Sequence, residues 1–391
     1  MTIARGDAVA LTRELVRIDS RNPVLVPGGP GEGAVARALG AVLEAWGFRV
    51  DVRDAAPGRP NVIARAGRGG GPSLMFNGHL DVVGTDGMRH APFDAEECDG
   101  RMYGRGSADM KGGVAAMCAA AARAADQGLE GELIIAAVID EEHESVGTRA
   151  LVAQGVRADA AIVTEPTRLA IAPAHRGFAW MQVTVHGRAA HGSRYDIGID
   201  AVRHAALLLA ELDALEEREL VTHTHPLLGH ASLHASRIEG GTGMSTYPDR
   251  CVVDIERRTV PGETVEQTLA EVRAACERVR ARRPHFRADV HVMFAQGPSD
   301  VAPEAPVVRA LAAAIDAEGG TPVVEGLSAW TDAALLNEAG IPAICYGPGD
   351  IALAHSAEEW VPIDEIERAT NVLTRVAREW CSAGGSASWR N

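Results

Sequence analysis

Ser73-Leu74-Met75-Phe76-Asn77-Gly78-His79-Leu80-Asp81 opens the stretch that decides the fold, and Gly104-Arg105-Gly106-Ser107-Ala108-Asp109-Met110-Lys111-Gly112-Gly113 closes it. The apolar run from Leu74 to Phe76 reads as a strand that delivers His79 and Asp81 at its end. The glycine-rich turn leads into an alanine-rich helical pattern from Val114 to Ala125. A strand ending in His-x-Asp, followed by an Asp in a turn at a helix start, presents an imidazole and carboxylates from loops on one edge of a sheet. Metal sites in α/β proteins are built in this way.

Outward from this stretch the same architecture repeats. Leu133-Ile134-Ile135-Ala136-Ala137-Val138-Ile139 shows no polar alternation, which marks a strand buried on both faces of a helix-covered sheet, and residues 160–164 repeat the pattern in short form. Upstream, helices are expected over 1–19 and 34–46, the second capped by Gly47, and strands over 49–53 and 61–66. The pattern changes after residue 175. Met181, Val183 and Val185 alternate with Gln182, Thr184 and His186, so this strand has one dry face and one wet face. A helix beginning at Asp200 carries Ala201, Ala205, Leu208, Leu212 and Leu215 on one side; strands over 231–238 and 250–257 follow. A second striped helix, with Val265, Leu269, Val272, Cys276 and Val279, leads to a strand over 286–294. The order β-α-β-β-α-β is the ferredoxin-like unit. From residue 295 the first pattern returns, with helices over 306–318, 331–339 and 363–380 and strands over 322–324 and 341–346. The expected fold is therefore α/β: a mostly parallel, helix-covered sheet formed by residues 1–175 and 295–391, with a ferredoxin-like α+β domain, residues 176–294, inserted into it.

Composition narrows the class of function. A chain of 391 residues exceeds one ordinary core, and a formal charge of −15 argues against nucleic acid or an anionic membrane as partner. No apolar run approaches the roughly 20 residues that span a bilayer, and the start lacks the apolar core of a signal peptide, so a soluble, cytoplasmic protein is expected. Six cysteines without C-x-x-C spacing indicate neither a zinc knuckle nor a disulfide framework.

Candidate ligands stand where strand-like runs end: His79 with Asp81, Asp109, Glu141 with Glu142, Glu165, and His355 beyond Gly347-Pro348-Gly349. Singly, a histidine at a strand end is ordinary hydrogen-bonded structure and a Glu-Glu pair ordinary surface. Together they lie on the edge where open sheets bind ligands. Two imidazoles with three or more carboxylates suit zinc, cobalt or manganese. Asp109 is the natural bridge between two ions. Glu141 and Glu142, adjacent after one strand, point apart, so one can ligate while the other stays free as a general base.

His79-Leu80-Asp81, the Gly104 to Gly113 turn, Asp140-Glu141-Glu142, Thr164-Glu165-Pro166-Thr167, and Gly347-Pro348-Gly349 with His355-Ser356 and Glu359 resemble, in order, the motifs of one family. It is the dinuclear zinc family of acetylornithine deacetylase, succinyl-diaminopimelate desuccinylase, aminoacylase and glutamate carboxypeptidase. The resemblance implies two divalent ions per chain, Zn2+ foremost, one held by His79, Asp109 and Glu165 and the other by Asp109, Glu142 and His355. It implies that Asp81 orients His79, and that Glu141 takes a proton from a metal-bridging water and passes it to the leaving nitrogen. It further implies that the inserted domain is a lid and homodimerisation domain. His191 there would reach a partner's active site to stabilise the oxyanion, and Arg258 would grip a substrate carboxylate, with Arg257 as the competing assignment. Many members carry Asn-x-x-Pro where this chain has Ser245-Thr246-Tyr247-Pro248, so their substrate contacts do not transfer here. The implied activity is hydrolysis of the N-acyl amide of an amino acid or acyl-diamino acid. A carboxypeptidase or dipeptidase acting on short peptides is the alternative, and a non-catalytic metal-stabilised binding protein a remote one. His223-x-His225 reads as incidental.

Overall fold

In the computed structural model, which describes residues 3–382, the apolar run that opens the deciding stretch is the strand Ser73–His79, at the heart of a sheet. Glu132–Val138 and Ala160–Val163 flank it, both parallel to it, with Phe76 level with Ile135 and Ile162. Ala343–Cys345 extends the parallel set beyond Ala160–Val163. Antiparallel strands finish the sheet, Arg59–Gly67 and then Arg49–Ala56 on one side and Ile171–His175 on the other. Residues 133–138 are all buried, as expected of a strand covered on both faces. Ala8–Val16, Gly112–Ala125, Pro306–Ala317 and Ile363–Trp380 pack on one another, while Gly33–Ala45, Val146–Ala153 and Ala333–Glu338 pack against strands as a second set.

Small residues make possible a close approach at the C-terminal edge of the parallel strands. Gly112–Ala125 is built mostly of alanine and glycine and is buried along nearly its entire length. A Cβ on Gly113 would stand 1.9 Å from the carbonyl oxygen of Thr164, and one on Gly347 would stand 2.5 Å from the same atom. No side chain fits at either place, so the helix start and the loop after Cys345 close directly on the segment that carries Glu165.

Ala174–Asp300, with Gly326–Trp330, forms a compact unit distinct from the rest of the described chain. Its strands Gly177–His186, Ser232–Gly240, Arg250–Thr259 and Arg287–Gln296 make an antiparallel sheet in which the first lies between the third and the fourth. That is the ferredoxin-like order. The dry face of Met181, Val183, Val185, Val253 and Ile255 packs on the stripes of Ala201–Arg218 and Val265–Arg282. Both helices start on side-chain caps: Asp200 accepts from the Arg203 N–H, and Thr264 with Gln267 forms a capping box.

Several boundaries differ from the sequence expectation for local reasons. The first helix is only Ala8–Val16, because Gly6 has φ +78° and the Asp7 carboxylate caps the Ala10 N–H at 2.9 Å. Val146–Ala153 and the strand Ile171–His175 appear where no element was expected, and the strand expected over 322–324 is Val324–Leu327. A small sheet pairs Arg101–Tyr103 with Glu96–Cys98 and with the distant Trp360–Pro362, setting Met102 opposite Val361. Five cysteines are buried and Cys98 is exposed, all as free thiols. Among the described residues no helix is long and apolar enough to cross a membrane. Of residues 382–391, whose sequence suggests a frayed end, 383–391 lie outside the described residues.

Candidate metal centre

Parallel strands deliver their C-terminal ends to one edge, and that is where the ligand candidates meet. His79 is the last residue of its strand, Glu141 and Glu142 follow Glu132–Val138, and Glu165 follows Ala160–Val163. Asp109 comes from the turn before Gly112–Ala125, which holds a cis peptide between Asp109 and Met110. His355 stands in the left-handed region, at φ +60°, after the short turn Ile351–Leu353.

Asp109 faces both histidines, with Oδ1 3.0 Å from His79 Nε2 and Oδ2 3.5 Å from His355 Nε2. Glu142 Oε2 lies 2.9 Å from His355 Nε2. His79, Asp109 and Glu165 each offer one ligand atom within 4.8 Å of the others, and so do Asp109, Glu142 and His355. Asp109 belongs to both groups. Glu141 belongs to neither, and its Oε2 stands 4.0 Å from His79 Nε2. The adjacent glutamates thus part company, one toward each histidine.

The electrostatics are those of a site short of positive charge. Burial, then the neighbouring carboxylates, pushes Glu141 and Glu165 well above the usual carboxylate range and Glu142 up to about 7. Burial works against charge on His79, yet its contacts with Asp109 and the nearby glutamates raise it. Hydrogen bonds to Asp109 and Glu142 raise His355 to about 10. Asp109 is held low against its burial by the two histidines. Protons gather here because carboxylates outnumber cations. Oε1 of Glu142 and Oε1 of Glu165 are buried without a hydrogen-bond partner, a state that is unfavourable by at least about 1 to 3 kcal/mol each. A pair of divalent cations would take the place of the protons and satisfy both oxygens, and the mixed nitrogen and oxygen donors suit zinc, cobalt or manganese. The residues present fit such a centre.

Asp81 faces His79 with its backbone carbonyl and its carboxylate at different distances. His79 Nδ1 is 2.9 Å from the backbone carbonyl of Asp81 and 3.6 Å from its carboxylate. The carbonyl, a pure acceptor, fixes the tautomer that leaves Nε2 free for a metal. The carboxylate instead accepts the backbone N–H groups of Glu141 at 3.1 Å and Glu142 at 3.2 Å. Beneath it lies a buried network that the sequence reading missed. Asn22 donates to Asp81 at 2.9 Å and to Asp140 at 3.0 Å, while Arg59 bonds Glu32 and Asp140. Asn22 sits in a Pro/Gly-rich loop without any motif to flag it. Asp332 was missed too; it is buried, accepts from Thr148 at 2.6 Å, and is raised by burial to about 6.

The remaining candidates belong to the inserted unit. His191 is exposed, its Nδ1 2.8 Å from the Ser193 hydroxyl, in a bridge with Thr246; Ser245 is also exposed. Arg257 is completely buried and bound to Glu263 and Glu271 at 2.5 and 3.0 Å. Arg258 is 34 % exposed, paired with Glu256 at 2.5 Å and stacked 5.5 Å from the Phe178 ring centre. The two arginines lie on opposite faces of the strand, and of the two Arg258 is the one with exposed surface. His223, Glu263 and Glu271 also converge with metal-like spacing. There, however, the Arg257 guanidinium already occupies the cation position.

Residues 75–379 match the model of peptidase family M20/M25/M40. Acetylornithine deacetylase of Myxococcus xanthus is 32% identical over 352 residues, covering 87% of this chain and 90% of that protein. N-formyl-4-amino-5-aminomethyl-2-methylpyrimidine deformylase of Bacillus subtilis is 29% identical over 411 residues, covering 97% of this chain and 95% of that protein. Among solved structures, the YXEP protein of Bacillus subtilis, a dinuclear metal binding peptidase, superposes with a TM-score of 0.73 at 17% identity, over 96% of this chain and 97% of that one.

Proposed function

Because the chain belongs to peptidase family M20/M25/M40 and is thus a hydrolase of amide or peptide bonds, we propose that it removes the acyl group from the nitrogen of an N-acyl amino acid or acyl-diamino acid. The observation that carries this reading is the division of labour after Glu132–Val138, with Glu142 against His355 and Glu141 outside both ligand groups. The choice of a deacylase over a peptidase is supported by the two relatives above. Each is named for removing an acetyl or formyl group, and each is matched along most of its length.

His79, Asp109 and Glu165 would hold one divalent ion, and Asp109, Glu142 and His355 the second. When bound, such ions polarise an acyl carbonyl and make water a competent nucleophile near neutral pH. The Glu141 carboxylate takes a proton from the attacking water as the C–O bond forms, and returns it to the amide nitrogen as the C–N bond breaks. Atoms balance: water and amide become acid and amine. The backbone of Asp81 keeps His79 in its ligating tautomer, and its side chain keeps the Glu141-Glu142 turn in place. In the inserted unit, Arg258 is assigned to the substrate carboxylate and His191 to the oxyanion, acting across a homodimer. Both assignments rest on the resemblance.

The test is a hydrolysis panel of N-acetyl, N-succinyl and N-formyl amino acids beside dipeptides, with protein reconstituted in zinc, cobalt or manganese and with chelated protein. Turnover of an N-acyl amino acid, lost on chelation and restored by metal, is expected. Turnover confined to dipeptides would replace this reading with the peptidase one.

A further inference from the structure

We infer that Arg105 and Glu359 are a positioning pair that presets the second metal position, the one assigned to Glu142 and His355. The inference rests on the two-ion reading above. Both side chains are buried, Arg105 at 2 % and Glu359 at 0 % exposure. Glu359 Oε1 accepts the backbone N–H groups of Ala108 and Asp109, each at 3.1 Å, and Oε2 accepts Arg105 Nη1 at 2.6 Å. The remaining donors of Arg105 reach two other segments, Nε to the Gly84 carbonyl at 2.9 Å and Nη2 to the Ser356 carbonyl at 3.2 Å. One ion pair therefore ties together the turn of Asp109, the loop after Asp81 and the residue next to His355.

The two metal positions depend on this tie unequally. His79 is the end of a central strand and is 1 % exposed, so the sheet itself fixes it. His355 lies between a short turn and an edge strand, in a left-handed backbone conformation, with its side chain 54 % exposed. Nothing in regular secondary structure aims its ring. On its C-terminal side the loop is held by backbone bonds, Arg89 N–H to the Ala357 carbonyl at 3.0 Å and Gly104 N–H to the Glu359 carbonyl at 3.2 Å, and inside by the Arg105 bond to Ser356 and by Glu359, four residues on, which grips the Asp109 turn. A buried pair of this kind is a weak source of stability but an effective device for geometry, since a guanidinium fork and a carboxylate satisfy several partners only in one arrangement.

Glu359→Gln keeps the size and one acceptor but turns an N–H group toward Arg105. Arg105→Lys keeps the charge and loses the fork that reaches Gly84 and Ser356. Zinc titration against a chromophoric chelator reads both ion affinities without any assay of activity, and cobalt spectra report each occupied position. Wild type should bind two equivalents. In each variant the second should weaken by about 10- to 100-fold, the usual size of such indirect effects, and the first, which shares Asp109 but keeps His79 and Glu165 at strand ends, by distinctly less. Glu359→Asp, which keeps the carboxylate on a shorter side chain, should retain part of the affinity that Glu359→Gln loses. Two unchanged affinities, an equal loss at both positions, or failure of both variants to fold would each overturn the inference. A wild-type protein that binds fewer than two ions would instead remove the two-ion reading on which it rests.

Discussion

Truncating the two adjacent glutamates separately should give opposite defects. Glu141 is outside both ligand groups, whereas Glu142 lies 2.9 Å from His355. Neither side chain holds the turn in place, because the Asp81 carboxylate binds both backbone N–H groups. Glu141→Ala should therefore keep its metal and lose the proton shuttle. General-base catalysis contributes about 10²- to 10⁴-fold, so turnover should fall by that factor, equivalent to about 3 to 5 kcal/mol in the barrier. Glu142→Ala should lose one donor of the His355 position and fall toward one ion per chain. Steady-state turnover of the preferred N-acyl substrate, measured beside metal content by plasma mass spectrometry, checks both. An exchange of phenotypes, with Glu141→Ala stripped of metal and Glu142→Ala fully loaded but dead, would refute the assignment of base and ligand.

Arg258→Ala should raise KM for substrates bearing a carboxylate while leaving thermal stability nearly unchanged. Arg257→Ala should instead destabilise the fold by about 3 to 5 kcal/mol, since it leaves Glu263 and Glu271 without their buried partner; equal KM effects from the two would undo the distinction. His175 is buried, and burial holds it down at about 4, below its ordinary 6.5. The unfolded chain then binds the extra proton between those values, so the stability due to a neutral His175 is complete above about pH 6.5 and is lost as pH falls toward 4. The loss amounts to about 3 kcal/mol, and urea unfolding of chelated His175→Phe should show a shallower decline over that range than wild type. For the proposed homodimer, mixing inactive His191→Ala and Glu141→Ala chains should restore activity to roughly a quarter of wild type per site if half the dimers are hybrids with one intact site each. Exchange of subunits without recovery, or a monomer in solution, would count against His191 acting across the dimer.

The parts of this molecule that repeat a simple period were legible in the sequence. The uninterrupted run from Leu133 to Ile139 announced a doubly covered strand, and the alternation from Met181 to Val185 announced a sheet with one wet face. His79, Glu141, Glu142 and Glu165 stood out as candidates for the same reason, because each ends or follows such a run, whereas Asp109 stands before a helix and His355 after a short turn. Supporting residues were not. Asn22, Arg59 and Asp332 matter through partners roughly 60 to 180 positions away in the chain, and a single sequence carries no sign of such pairings. Asp81 lies beside His79, and its two sets of contacts, the carbonyl to His79 and the carboxylate to the Glu141 and Glu142 N–H groups, are set by backbone direction at a strand end, which the sequence does not show. Val146–Ala153 escaped notice because it is short and starts after Ser145 in a left-handed turn without a side-chain cap.

The pairing of Met102 with Val361 sets an order of events for the chain as it is made. Synthesis runs from the amino end, and contacts between distant segments must wait for the later one to emerge. Until Trp360–Pro362 has left the ribosome, Arg101–Tyr103 lacks its second strand partner, and the turn of Asp109 lacks Glu359. By then the contiguous body of the inserted unit, Ala174–Asp300, has long been complete. Completion of the proposed second metal position would therefore be a finishing step, taken after translation is nearly over. Ribosome-stalled chains that end before residue 355 should lack the position assigned to Glu142 and His355 and bind at most one zinc equivalent.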